Sequence, residues 1–248
     1  MNKKILIYII LLFVLFFTIS IPNQELNYII APITFWVIMA YAVLNAERGV
    51  VNYVVKNFLK RRSISLSFLT YLPVHIIIYS IAIEKLLISI FGYQGYFPSQ
   101  VILTYTPFPY QGVGVLLNLL LNPSLSVFIQ PSYFLDLTPF ALLSAVIITF
   151  TVSANIGRIV DIMRSATSMA KNIIAVVTLG LVSGSSCCLS LPSLIAFYTP
   201  ISILVYDIAV GDTLLALYFL LPIFTIIILT DQFRRLIKNI EENKSYQN

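Results

Sequence analysis

Charge is scarce in this chain. Asp, Glu, Lys and Arg make up 10% of its 248 residues, against about 25% in soluble domains. Hydrophobic residues reach 59% and the mean hydropathy is +0.94. A chain this apolar has too few charges to cover a soluble surface, so lipid is expected to be its solvent. Histidine is scarcer still, with His75 alone. That excludes bis-histidine haem ligation and a three-histidine zinc site built from this chain only. The nucleotide signatures GxxxxGK[ST] and GxGxxG and the zinc signature HExxH are missing. There is no CxxC redox motif either. Few carboxylates fall inside apolar blocks; Asp136, Asp207 and Asp212 sit near block ends, so a buried proton relay is not expected. With no acid–base constellation in view, the chain is not expected to be an enzyme.

What is present is a series of long apolar blocks separated by short charged clusters. The blocks are too long and too continuous for a β-barrel, whose strands alternate apolar and polar residues. The expected fold is all-α: a polytopic bundle of about six spanning helices over 5–21, 26–44, 64–85, 136–155, 173–197 and 212–230. The first block follows Asn2-Lys3-Lys4 and lacks an A-x-A-like site, so it reads as an anchor rather than a cleaved signal. No segment between the spans is long enough to fold by itself, and 1–248 is expected to form one membrane domain. The net charge of +5 is not a nucleic-acid footprint, because the cations flank the spans as the positive-inside rule requires.

Parity settles the difficult stretch. Glu47–Arg62 carries Arg48, Lys56, Lys60, Arg61 and Arg62, and marks an inner segment with Val51, Val54, Val55 and Phe58 on one helical face. Arg158, Arg164 and Lys171 mark a second inner segment over 156–171, in which Arg158, Asp161 and Arg164 read as a solvated ion-pair row. A third covers 232–242, with Phe233, Leu236, Ile237 and Ile240 as its apolar face. One crossing fits between Lys85 and Arg158, and two do not. The apolar run 113–129, interrupted by Asn118, Asn122 and Pro123, is therefore expected to dip in and return, or to lie on the outer surface. Both termini then lie inside, at the plasma membrane, and Lys85 is the one cation outside. The outer loop over 92–112 is rich in Tyr, Phe and Pro, as an aromatic belt is.

The candidate chemistry sits in "LVSGSSCCLSLPSLIAFY", Leu181 to Tyr198, which holds both cysteines. Neighbouring residues on a helix point about 100° apart, so Cys187 and Cys188 converge only where the helix unwinds. Gly184, Ser185 and Ser186 before the pair and Pro192 after it favour such a break. Two thiolates suit a soft ion such as Cu(I) or Hg(II), with a Met or His75 as a third donor. Ser186, Asn118 and Asn122 are candidates to line a cavity; Asn118 and Asn122 stand four apart, on one helical face. The same residues also suit plain packing, since small residues let membrane helices approach and cysteine behaves as a small hydrophobe. The stretch "SSCCLSLP" resembles the vicinal-cysteine helix of the mercuric-ion transport proteins, over roughly ten residues. The resemblance implies metal passage at Cys187 and Cys188 alone. The family carries its pair in the first span, where this chain carries it in the fifth. The rest of the chain has the general look of an archaeal polytopic membrane protein.

The leading expectation is transport or soft-metal handling. The alternatives are a non-catalytic membrane subunit or assembly factor of a larger complex, such as a respiratory one, and a permease subunit served by a separate ATPase. The lipid bilayer is the expected surrounding partner in all of them.

Overall fold

The computed structural model describes residues 13, 14 and 16, and residues 24–91, 99–105, 113–129, 133–165 and 208–245. These are mostly helical. In chain order they form α1 (Gln24–Ala46), α2 (Arg48–Asn57), α3 (Arg62–Phe91), β1 (Gln100–Thr104), α4 (Val113–Leu121), β2 (Ser124–Ile129), β3 (Tyr133–Leu137), α5 (Pro139–Ser165) and α6 (Ile208–Ser245). Two described helical stretches, Ile29–Ala46 in α1 and Pro139–Asp161 in α5, are long and apolar enough to cross a membrane. The expected first span lies outside the described residues except at Phe13, Val14 and Phe16, and the expected fifth span, 173–197, lies wholly outside them.

The chain divides into two compact units. The first comprises Met1–Ala46 and Tyr96–Leu143. Here α1 packs on α4, and the indole of Trp36 donates to the carbonyl of Leu119 at 2.7 Å. The last four carbonyls of a helix have no partner within it, so Trp36 serves as a cap for the end of α4. Its ring meets Phe35 edge-on at 5.2 Å and Phe140 at 6.1 Å. Three antiparallel strands in the order β1-β2-β3 complete the unit. The register sets Ser124 opposite Thr104, Ser126 opposite Ile102, and Asp136 opposite Ser126 on the other side.

The sheet is a departure from the all-helical expectation, and it also redraws 113–129. A nine-residue helix is about 13 Å long, far short of the roughly 30 Å hydrocarbon core. The chain then turns at Asn122-Pro123 and continues as β2. The strand runs are five and six residues long, and their aliphatic and hydroxyl residues read as part of a longer apolar block until pairing reveals the period of two. The start of α5 is local chemistry. Thr138 is its N-cap, accepting from the amide of Ala141 through its hydroxyl at 3.1 Å. Pro139 occupies the first helical position, where a missing N–H does no harm. The expected start at 136 falls instead within β3.

The second unit comprises Glu47–Gly95 and Ser144–Asn248. Val50, Val54, Ile64, Ala154 and Phe233 form one buried cluster, with Tyr53, Phe58, Phe68, Phe150 and Ile237 packed on it. A second cluster joins Ile148 and Val152 of α5 to Leu229 of α6. Asn155 fastens the same two helices, donating to the carbonyl of Leu229 at 2.9 Å. The inward face of α2 is thus Val50, Tyr53, Val54 and Phe58, while Val55 is 61% exposed. The expected face was rotated: Val55 stands about 100° from Val54, and only one of the two can point inward. On α6 the expected face holds at Phe233 and Ile237. The expected inner segments 156–171 and 232–242 are not separate helices where described. They continue α5 to Ser165 and α6 to Ser245.

Candidate functional site

Several described segments bury polar groups and expose aliphatic ones. In β2, Ser124, Ser126 and Phe128 are buried while Leu125 is exposed. In β1, Val101 and Leu103 are exposed. The Thr104 hydroxyl lies 2.8 Å from Ser124 Oγ and 2.7 Å from Ser126 Oγ. In water this arrangement would leave aliphatic surface uncovered; in lipid it is the expected one. Helix faces repeat it. On α1, Ile29, Ile33, Val37, Tyr41 and Leu44 are all exposed along one face about 23 Å long. On α6, Leu217, Leu220, Phe224, Ile227 and Ile228 do the same.

The first unit also holds the expected amide pair. Asn118 and Asn122 are both buried, at 1% exposure, and Asn122 Nδ2 donates to Asn118 Oδ1 at 3.3 Å. The four-residue spacing brings them to one face. The first unit therefore holds a buried amide pair and a cluster of three hydroxyls. The hydroxyls were missed in the sequence. Their signal was the alternation Ser124-Leu125-Ser126-Val127, a strand with its polar side repeating every second residue.

In the second unit His75 is buried at 1% exposure, and its ring lies 5.6 Å from that of Tyr71, one helical turn away. Thr149, Thr151, Ser153 and Asn155 of α5 are also buried. Thr149 and Thr151 return their hydroxyls to backbone carbonyls of their own helix, which satisfies them without a partner helix. Cys187, Cys188 and Ser186 lie outside the described residues. Among the described residues no three His, Cys, Asp or Glu stand close enough to hold a metal ion.

The basic flanks of the second unit come together at one end. Arg61, just before α3, forms an ion pair with Asp161 of α5 at 2.5 Å. Arg158 lies over the Tyr53 ring at 4.3 Å and near that of Phe233 at 5.9 Å. Glu47 accepts from the Thr230 hydroxyl at 2.9 Å. This corrects the solvated row expected for Arg158 and Asp161, since each turns toward another element. Burial holds the Tyr53 phenol above its ordinary value of 10.0, against the opposing pull of Arg158 and Arg61; the Asp161 carboxylate, which its hydroxyl meets, acts in the same direction as burial. The Arg61 guanidinium is raised chiefly by its hydrogen bond to Asp161.

Comparison with protein-family models, with curated proteins and with solved structures gives no match to this chain. The functional reading therefore stands on the residues themselves.

Proposed function

We propose that the chain is a multi-pass plasma-membrane protein of transport type, with six crossings, both termini inside, and a soft cation of the Cu(I) or Hg(II) kind as its substrate. The carrying observation is the pairing of buried polar groups with exposed aliphatic faces. An apolar chain that buries His75, Asn118, Asn122, Ser124 and Ser126 while exposing Ile29, Ile33, Val37, Leu220, Ile227 and Ile228 suits lipid around it and polar groups within. The gathering of Arg61, Arg158 and Asp161 at one end of the second unit supports the positive-inside orientation. The substrate class comes from the thiols of Cys187 and Cys188, whose softness selects soft ions. The burial of the only imidazole supports His75 as a further donor. Neutral amides and hydroxyls bind such an ion weakly, so they suit passage rather than storage.

The test is Cu(I) binding to the full chain purified in detergent under reducing conditions, read by elemental analysis and by competition with a chromophoric chelator. The expected result is near-stoichiometric binding, abolished in Cys187→Ser/Cys188→Ser and weakened in His75→Ala. Equal, weak binding by all three proteins overturns the soft-cation assignment.

A further inference from the structure

The outward face of α2 and the turn after it is the least expected surface of the second unit. Val55 is 61% exposed and Leu59 95% exposed. They stand four residues apart, on the same side. Around them Arg48, Asn52, Lys56, Lys60 and Arg62 are also exposed. The sole acid of the segment, Glu47, is engaged with Thr230, and the next acid along the chain is Glu84. Arg61, the fifth cation, turns to Asp161. The exposed face therefore combines two aliphatic side chains with four cations and no anion.

We infer that this face is a docking surface for the anionic phosphate headgroups of the bilayer, with Val55 and Leu59 entering the headgroup boundary and Lys56, Lys60, Arg48 and Arg62 held among the phosphates. Charge complementarity selects the occupant. A cationic rim around a small apolar centre is the pattern by which amphipathic helices lie in an anionic interface, and a partner protein's apolar patch would be met here by four cations. The opposite face explains how the segment is held for this role. Val50, Val54 and Phe58 anchor it in the buried cluster, and the Arg61–Asp161 pair fixes its exit into α3. The cations differ in reach. Lysine stems extend from the helix and carry their ammonium groups outward while their methylenes stay against apolar surface. This inference rests on the membrane placement proposed above, and not on the transported ion.

The experiment uses the full chain in nanodiscs, in a Cys187→Ser/Cys188→Ser background, with a nitrobenzoxadiazole label at Val55→Cys or Leu59→Cys. Both sites are exposed, so the label does not disturb packing. Discs contain phosphatidylcholine alone, or phosphatidylcholine with one third phosphatidylglycerol. The expected result is a blue-shifted emission and quenching by aqueous dithionite about threefold slower in the anionic discs, with the difference removed by Lys56→Glu/Lys60→Glu or by high salt. Equal quenching in both lipids, unchanged by the charge reversal, overturns the inference and leaves the face for a protein. A chain that does not enter the discs at all overturns the membrane placement itself.

Discussion

Glycine at position 157 shows how little room α5 has against Ile64. A Cβ there would stand 2.7 Å from Ile64 Cδ1 and 2.8 Å from its Cγ1, and Ile64 is completely buried. Neither atom can swing out of the way. Gly157→Ala should destabilise the protein by about 1–3 kcal/mol despite its gain in helix propensity, seen as a lowered thermal midpoint in detergent. Gly49 provides the contrast, with open space around the same atom. The Arg61–Asp161 pair is weaker than its geometry suggests. Its side chains are 35% and 26% exposed, so solvent screening limits it to about 1 kcal/mol. Tyr53 gives this region a pH dependence. Burial raises its folded pKa, so the unfolded chain loses the proton first as pH climbs. The contribution is complete below pH 10 and is lost as pH rises through the folded value. The thermal midpoint of the wild type should therefore fall above pH 10 more steeply than that of Tyr53→Phe; equal slopes would remove Tyr53 from the account.

At the scale of elements, the junction of α4 with β2 carries the most information. The single tryptophan holds the last turn of α4 to α1 through the Leu119 carbonyl. Trp36→Phe keeps most of the ring contact and removes the donor, leaving a helix-end carbonyl unpaired. A loss of about 1–2 kcal/mol is expected, read by thermal unfolding monitored by circular dichroism. This junction also shows what was legible in the sequence. Asn118 and Asn122 were expected on one face from their spacing, and they bond to each other. The helix start at Thr138-Pro139 carries an N-cap signal in two letters. The sheet was missed, because a six-residue strand beside a nine-residue helix is a short window and the alternation over 124–127 reads as part of one apolar run. The face of α2 was misread for a different reason. Val50, Val51, Val54 and Val55 offer two apolar faces about 100° apart, and only tertiary packing chooses between them.

For the whole molecule, solvent is the organising variable. Among the described residues, His75, Asn118, Asn122, Ser124 and Ser126 are buried beside an aliphatic core, while Ile29, Ile33, Val37, Leu220, Ile227 and Ile228 are exposed. Exposed aliphatic faces of this kind suit a lipid surrounding, as the proposed membrane placement requires. Arg61 and Arg158 gather around Tyr53, beside Phe233, at the flank that the proposed topology places inside. Transport is the central claim of the proposed function. Its most direct test is Cu(I) entry into sealed proteoliposomes loaded with a Cu(I)-sensitive dye, with the full chain reconstituted and its incorporation checked by flotation. The account predicts influx well above that of protein-free vesicles, reduced to the vesicle background by Cys187→Ser/Cys188→Ser. Influx at background level with the wild-type chain fully incorporated would contradict it.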